Sequence, residues 1–267
     1  MIEVQLEKVG IDRKDIIISI SSKNPVVAFL GEKIIDVCKK LSNSGHRSAP
    51  VVDKKMQLLG VVTITDIFNF MLSGGSMNSP IETIMSREVV SCDSNETIEF
   101  VLQKMKISKR GRLPVVSNKK VIGMISETDF ILATKDFSSF EGLIIEEFMT
   151  KKPFFVLPSF GIKEVIKIMV NGKYRRLPVV DNKILVGYIT STLLFRQLVE
   201  NSFSESFLNK RISEIMVKNP IRVNKKESLA SVLKEMKDKK ISSMLIVNEK
   251  NEIEGIFTER DYINLLI

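Results

Sequence analysis

The chain of 267 residues contains no tryptophan, one histidine and two cysteines. With His46 alone, no Ser-His-Asp or Cys-His arrangement can be assembled more than once. Its setting, Ser-Gly-His-Arg-Ser before a strand, suits a surface or phosphate-facing group better than a general base. Cys38 and Cys92 are too few for a disulfide scaffold or a thiolate metal site, and Cys38 falls on an apolar helical face as a buried, inert thiol. No Walker-type glycine loop, no Gly-x-Gly-x-x-Gly and no metal-ligand spacing occurs. No apolar run approaches the roughly 20 residues of a membrane span. The stretch Met1-Ile-Glu-Val-Gln-Leu-Glu-Lys8 is acidic where a signal peptide is basic. These absences point to a cytoplasmic protein, not in a membrane and not an enzyme.

The net charge is +8. It favours polyanionic partners: nucleotide phosphates, nucleic acid or an acidic protein face. No run of five or more like charges marks a basic tail, and most of the lysines read as a solvated surface.

What the chain does have is one stretch four times: Gly60-Val-Val-Thr-Ile-Thr-Asp66, Gly123-Met-Ile-Ser-Glu-Thr-Asp129, Gly187-Tyr-Ile-Thr-Ser-Thr-Leu193 and Gly255-Ile-Phe-Thr-Glu-Arg-Asp261. Each reads glycine, two apolar residues, a hydroxyl, two variable positions, then Asp, with Leu in the third copy. Recurrence at intervals of about 64 residues marks an internal repeat.

The surrounding pattern recurs in register. Apolar stripes at i, i+3, i+4 and i+7 predict one helix per copy: Ile34, Val37, Cys38 and Leu41; Ile98, Val101, Leu102 and Met105; Ile162, Val165, Ile166 and Met169; Leu229, Val232, Leu233 and Met236. The last stripe residue precedes Pro50, Pro114, Pro178 or Leu245 by nine in every copy. Those residues sit in strands such as Leu113-Pro-Val-Val and Leu177-Pro-Val-Val, followed by a polar turn and a returning strand. The repeated stretch then opens a second helix. Residues 1–14 form a patternless lead-in, Ile16–Ile20 an extended segment, and Asp93 with Glu96 a helix start. The segment 73–79 is a flexible loop, and 134–147 and 201–210 include helix ends that cover neighbouring copies. One copy exposes too much apolar face to stand alone. The expectation is two halves: residues 1–137, with repeats at about 14–72 and 80–137, and residues 138–267, with repeats at about 145–200 and 210–267.

The Gly-apolar-apolar-Ser/Thr-x-x-Asp ends and the Leu-Pro-Val-Val strands resemble those of cystathionine-β-synthase-type (CBS) domains, over nearly the whole chain. The resemblance implies an α+β fold of four CBS repeats (β-α-β-β-α), paired into two Bateman modules packed as a disc. Four repeats without a catalytic domain are similar to the γ-subunit type of AMP-activated protein kinase and its stand-alone prokaryotic relatives. Such proteins bind adenine nucleotides between repeats and signal to a partner.

From the residues alone, Thr63-x-x-Asp66, Ser126-x-x-Asp129 and Thr258-x-x-Asp261 are capping boxes that need no ligand. A carboxylate in a first helical turn can also accept from both hydroxyls of a ribose, while the helix N-terminus favours phosphate. The resemblance implies this second role: Asp66, Asp129 and Asp261 hold ribose, and Thr63, Ser126 and Thr258 line the clefts. In copy three Leu193 offers no acceptor, so that cleft is empty of nucleotide or uses another contact, with Thr190 remaining. Arg47, Arg110, Arg112, Arg175 and Arg176 lie just before the Pro-bearing strands, where the resemblance implies phosphate contact in a shared cleft. Carried over, Arg112 serves the cleft of Asp66, Arg47 that of Asp129, and Arg175 or Arg176 that of Asp261. Arg260 can also face phosphate. The planar guanidinium fork suits that role, against the alternative of a solvated strand end.

The expectation is therefore a regulatory protein that binds AMP, ADP or ATP, needs no catalytic cofactor and reports to a protein partner, as a monomeric disc or a homodimer. Two readings stand beside it. One is a CBS scaffold for nucleic acid or protein without nucleotide control; no aromatic stacking platform is evident, and salt-sensitive binding unaffected by AMP would mark it. The other keeps the fold and binds S-adenosylmethionine.

Overall fold

The computed structural model describes residues 3–267. Helices α1 (Ile34–Ser44) and α2 (Ile64–Leu72) belong to repeat one, α3 (Ile98–Ser108) and α4 (Glu127–Ala133) to repeat two, and α5 (Ile162–Asn171) and α6 (Ser191–Glu200) to repeat three. A short α7 (Glu205–Leu208) precedes repeat four, which holds α8 (Leu229–Asp238) and α9 (Glu259–Leu265). None is long and apolar enough to cross a membrane. All four predicted stripes are buried. Each Val, Leu, Ile or Met among them contributes about 1.5–3 kcal/mol of transfer free energy.

The strands follow the same plan in each copy. Ser48–Val52 pairs antiparallel with Leu58–Thr63, Arg112–Ser117 with Lys120–Ser126, Arg176–Asp181 with Ile184–Thr190, and Ser243–Val247 with Ile253–Thr258. Asn118–Lys119 and Asn182–Lys183 have left-handed backbones, as a two-residue hairpin turn requires.

The repeats exchange their lead segments. Ser22–Lys23, near the start of repeat one, pairs with the returning strand of repeat two, while Ser86, near the start of repeat two, bridges Val61 of repeat one. Thr150–Lys151 and Val217–Lys218 make the same reciprocal exchange between repeats three and four. This crossing explains the repeated glycine. A Cβ on Gly123 would lie 2.9 Å from the Ser22 carbonyl oxygen, and one on Gly60 2.9 Å from that of Ser86. At Gly187 and Gly255 it would strike Met216 and Met149.

Apolar burial follows a different division. One core joins repeats two and four with the lead-in residues Val4, Leu6, Val9 and Ile11. A second joins repeats one and three. Helix α1 packs on α6, α2 on α5, and α4 on α9. Apart from the bridge between Val4 and Leu266, strand pairing therefore stays within 1–137 and within 138–267, and the helical stripes are buried between those halves. We propose, from the exchange, that the two halves are the modules.

Two local expectations are corrected. Ile16–Ile20 is not extended: Ile17–Ser19 forms a 3-10 turn, which buries Ile17 and lets the Ser21 hydroxyl donate to its carbonyl at 2.7 Å. Asp93 does not cap α3. Its carboxylate accepts from the Asn95 amide at 3.0 Å, and Thr97 caps the helix by accepting from the Phe100 amide at 3.3 Å. Glu96 is taken by Lys104 at 2.7 Å. The covering segments are present: Phe140 packs on Tyr262, with ring centres 5.9 Å apart, and Phe207 and Leu208 enter the core of repeats one and three.

Candidate functional site

Asp66, Asp129 and Asp261 occupy equivalent places in their first helical turns. One oxygen, Oδ2, accepts from both the backbone N–H and the hydroxyl of the capping residue: 2.8 and 2.7 Å at Thr63, 2.7 and 2.7 Å at Ser126, 2.8 and 2.9 Å at Thr258. The other oxygen, Oδ1, has no hydrogen-bond partner among the described residues. Capping and ligand binding are therefore compatible, because the cap uses one oxygen only. Burial pushes the Asp129 and Asp261 carboxyls up from the ordinary range, against the pull of these hydrogen bonds. In copy three, Thr190 Oγ1 accepts from the Leu193 amide at 3.1 Å, and Leu193 packs against the apolar core.

The arginines converge where the four repeats meet, around two carboxylates that occupy the first variable position of the repeated stretch. Glu259 is 1% exposed and takes a fork of two 2.8 Å bonds from Arg176 and one of 3.2 Å from Arg47. Glu127, 4% exposed, accepts from Arg260 Nε at 2.7 Å and from Arg175 at 3.2 Å. Burial alone would raise Glu259, but the Arg176 fork and Arg47 outweigh it and hold the carboxyl at about 2. Arg112, the fifth arginine, has no carboxylate within ion-pair distance among the described residues. Burial and the neighbouring Arg175 depress it. Burial and Arg112 likewise lower Arg47, to about 9. Five guanidinium groups thus converge on two buried carboxylates, and Arg112 is the one left without an ion pair among the described residues.

Two clefts open onto this centre. The first, about 590 Å³, contains Thr63, Asp66, Arg110 and Arg112, with Arg175 and Arg260 entering from the other half. The hydroxyl of Ser48, also in its wall, is buried with no partner among the described residues, as is Arg260 Nη2. Tyr174, stacked on Phe154 at 5.3 Å, stands at this cleft as well. The second cleft, about 460 Å³, contains Thr190, Arg47, Arg112, Arg175 and Arg176. Asp129, Ser126, Asp261 and Thr258 line neither. Of the anticipated pairings, the structure brings Arg112 into one cavity with Asp66. Arg47 and Arg176 are engaged by Glu259, and Arg260 and Arg175 by Glu127.

Glu127 and Glu259 were not singled out from sequence. The available signal was a Glu directly after the cap hydroxyl in copies two and four, against Ile64 and Ser191 in the others.

A family model for the CBS domain matches residues 14–73, 81–136, 145–200 and 212–267. The chain belongs to the CBS-domain family. It carries four CBS repeats in a mixed α and β fold. MJ1225 of Methanocaldococcus jannaschii is 28% identical over 247 residues, 83% of this chain and 88% of that protein. The crystal structure of MJ1225, described as a proposed archaeal homologue of g-AMPK, superimposes with a TM-score of 0.84 at 26% identity, covering 94% of this chain and 99% of that one. A Pyrococcus horikoshii protein of the same coverage gives a TM-score of 0.63 at 22% identity, which speaks to the fold alone. A protein encoded in a ribosomal RNA operon of Thermofilum pendens is 24% identical over 260 residues, 88% of this chain and 85% of that protein.

Proposed function

We propose that this CBS protein is a regulatory sensor of adenine nucleotides, AMP, ADP or ATP, that reports to a protein partner without turning its ligand over. The observation that carries the reading is the first cleft. There Asp66, a capped carboxylate whose second oxygen has no partner among the described residues, shares a cavity with Arg112, which has no ion pair among those residues. A ribose 2′,3′-diol suits the free oxygen, and a phosphate suits Arg112 and its neighbours bidentately. The resemblance of the whole chain to MJ1225, with its proposed kinship to g-AMPK, supports the regulatory part. An S-adenosylmethionine ligand fits less well, since it brings a positive sulfonium and no phosphate to an arginine-rich cavity.

The mechanism is linkage. The wall of the first cleft includes residues of all four repeats, so a ligand there touches both halves. It shifts their arrangement by no more than its differential affinity for the alternatives, and a partner that prefers one arrangement reads the result. The test is calorimetric titration of nucleotide-stripped protein with AMP, ADP and ATP, beside Asp66→Ala and Arg112→Ala. Binding that weakens about tenfold or more in both variants is expected. Absence of heat and of thermal shift with every nucleotide refutes the reading.

A further inference from the structure

The cleft of repeat three has walls of two kinds. Part of the lining is apolar: Val217, Pro220, Ile221, Ile241 and Leu245. Part is cationic: Arg47, Arg112, Arg175, Arg176 and Lys240, and no acidic side chain among the described residues lines the cavity. Thr190 stands in the same wall. In the other three repeats the matching hydroxyl donates to an Asp carboxylate. Here the matching position is Leu193, turned to the core, and the Thr190 hydroxyl only accepts, from the Leu193 amide at 3.1 Å. Its proton is free to donate into the cavity. A ribose diol, itself a donor pair, finds no carboxylate to receive it.

We propose that this cleft is a second anion site of different selectivity: it takes a phosphate ester carried on an apolar or aromatic body and is indifferent to a cis-diol. The arginines receive the phosphate, bidentately where their forks are free. The apolar side chains receive the body. Thr190 donates to the oxygen that links the two. The Asp-bearing cleft selects for the diol by contrast, because its free carboxylate oxygen loses a charge-assisted hydrogen bond when a 2′-hydroxyl is missing. The proposal goes beyond the sensor reading and rests on the walls of its own cavity.

The probes are ADP and 2′-deoxy-ADP, titrated calorimetrically into the full chain and into Thr192→Glu and Leu193→Asp. Thr192 lines this cavity in the first turn of α6, where a carboxylate suits the helix while facing the arginines. Thermal melts confirm that each variant is folded. In the unsubstituted protein, one binding event should accept both ligands with affinities within about threefold of each other. Thr192→Glu should abolish that event. Leu193→Asp should rebuild the Thr-x-x-Asp arrangement and make the event prefer ADP by about tenfold or more. The proposal fails if Thr192→Glu removes no 2′-deoxy-ADP binding, if the event it removes already prefers ADP by more than about threefold, or if Leu193→Asp leaves the preference unchanged. The sensor reading fails separately, if Asp66→Ala weakens no nucleotide-binding event while the Thr192-dependent one persists.

Discussion

Repeats two and four differ from repeats one and three at the residue directly after the cap hydroxyl. In the first pair it is Glu127 or Glu259, buried and committed to arginines from other repeats. In the second pair it is Ile64 or Ser191, and the adjoining clefts are the ones that open onto the arginine centre. One motif, repeated four times, has thus divided into two jobs. Two copies hold the arginines in place, and two present them. The division also sets the pairing. Two fixed carboxylates anchor four arginines and leave the fifth, Arg112, without an ion pair among the described residues.

The strongest way to break the contrast is Glu259→Ser, which gives repeat four the residue of repeat three. Arg176 and Arg47 then lose their partner inside the protein, and removal of one side of a buried ion pair costs about 3–5 kcal/mol. Denaturant unfolding should show a loss of that size, partly restored by saturating phosphate or nucleotide. A loss below about 1 kcal/mol, the range of exposed pairs, would show that the pair is effectively solvated.

Acid should reproduce the effect more gently. The Glu259 carboxyl is held at about 2 in the fold against an ordinary value of 4.5. A carboxyl lowered by folding contributes stability above its unfolded value and loses it as pH falls toward the folded one. Stability should therefore decline between about pH 4.5 and 2, by on the order of 3 kcal/mol from this group. Asp129 and Asp261, raised by burial, act in the opposite direction and reduce the net slope. Unfolding curves at stepped pH check this, and Glu259→Gln should flatten the dependence.

Ser191→Glu approaches the same contrast from the other side. Ser191 is 8% exposed and borders the first cleft. A carboxylate there should draw on the same arginines and weaken nucleotide binding in that cleft by about tenfold. Calorimetry with ATP measures it, and unchanged affinity would show that the arginines do not act on the ligand.

Ser48→Ala should have the smallest effect. Its hydroxyl is buried without a partner in the same cleft. Stability should hold or rise by up to about 1 kcal/mol, since no hydrogen bond is lost, while ligand affinity falls a few-fold if the hydroxyl is reserved for the ligand.

Much of the fold was legible in sequence because stripe, strand, turn and cap recur in a common register. An accidental match at one landmark would not repeat at the next. The partners of the stripes were not legible. Ile34, Val37 and Leu41 show that one face of α1 is apolar, but nothing in them says that it meets α6 of repeat three. The exchange of lead segments was equally hidden, although its mark was in plain view as the glycine opening each repeated stretch. Within the site, Asp66 and Arg112 were readable from their places in the motif. Glu127 and Glu259 were not, because a charged residue in a first helical turn is ordinarily a solvated one, and only the assembled centre buries it. The lead-in hid its role for a related reason: Val4, Leu6, Val9 and Ile11 follow neither a helical nor a strand period, and they are apolar because repeats two and four receive them.

That lead-in has a topological consequence. The Val4 amide donates to the Leu265 carbonyl at 2.7 Å, and the Ile267 amide donates back to Val4 at 2.9 Å. Residues 4 and 267 are therefore neighbours, and the path through the four repeats returns to its start. In such a ring the order of the repeats is a matter of where the circle is cut. A permuted chain, joined across this contact and opened in the exposed loop around Gly74, would keep each lead segment with its partner sheet and each arginine with its glutamate.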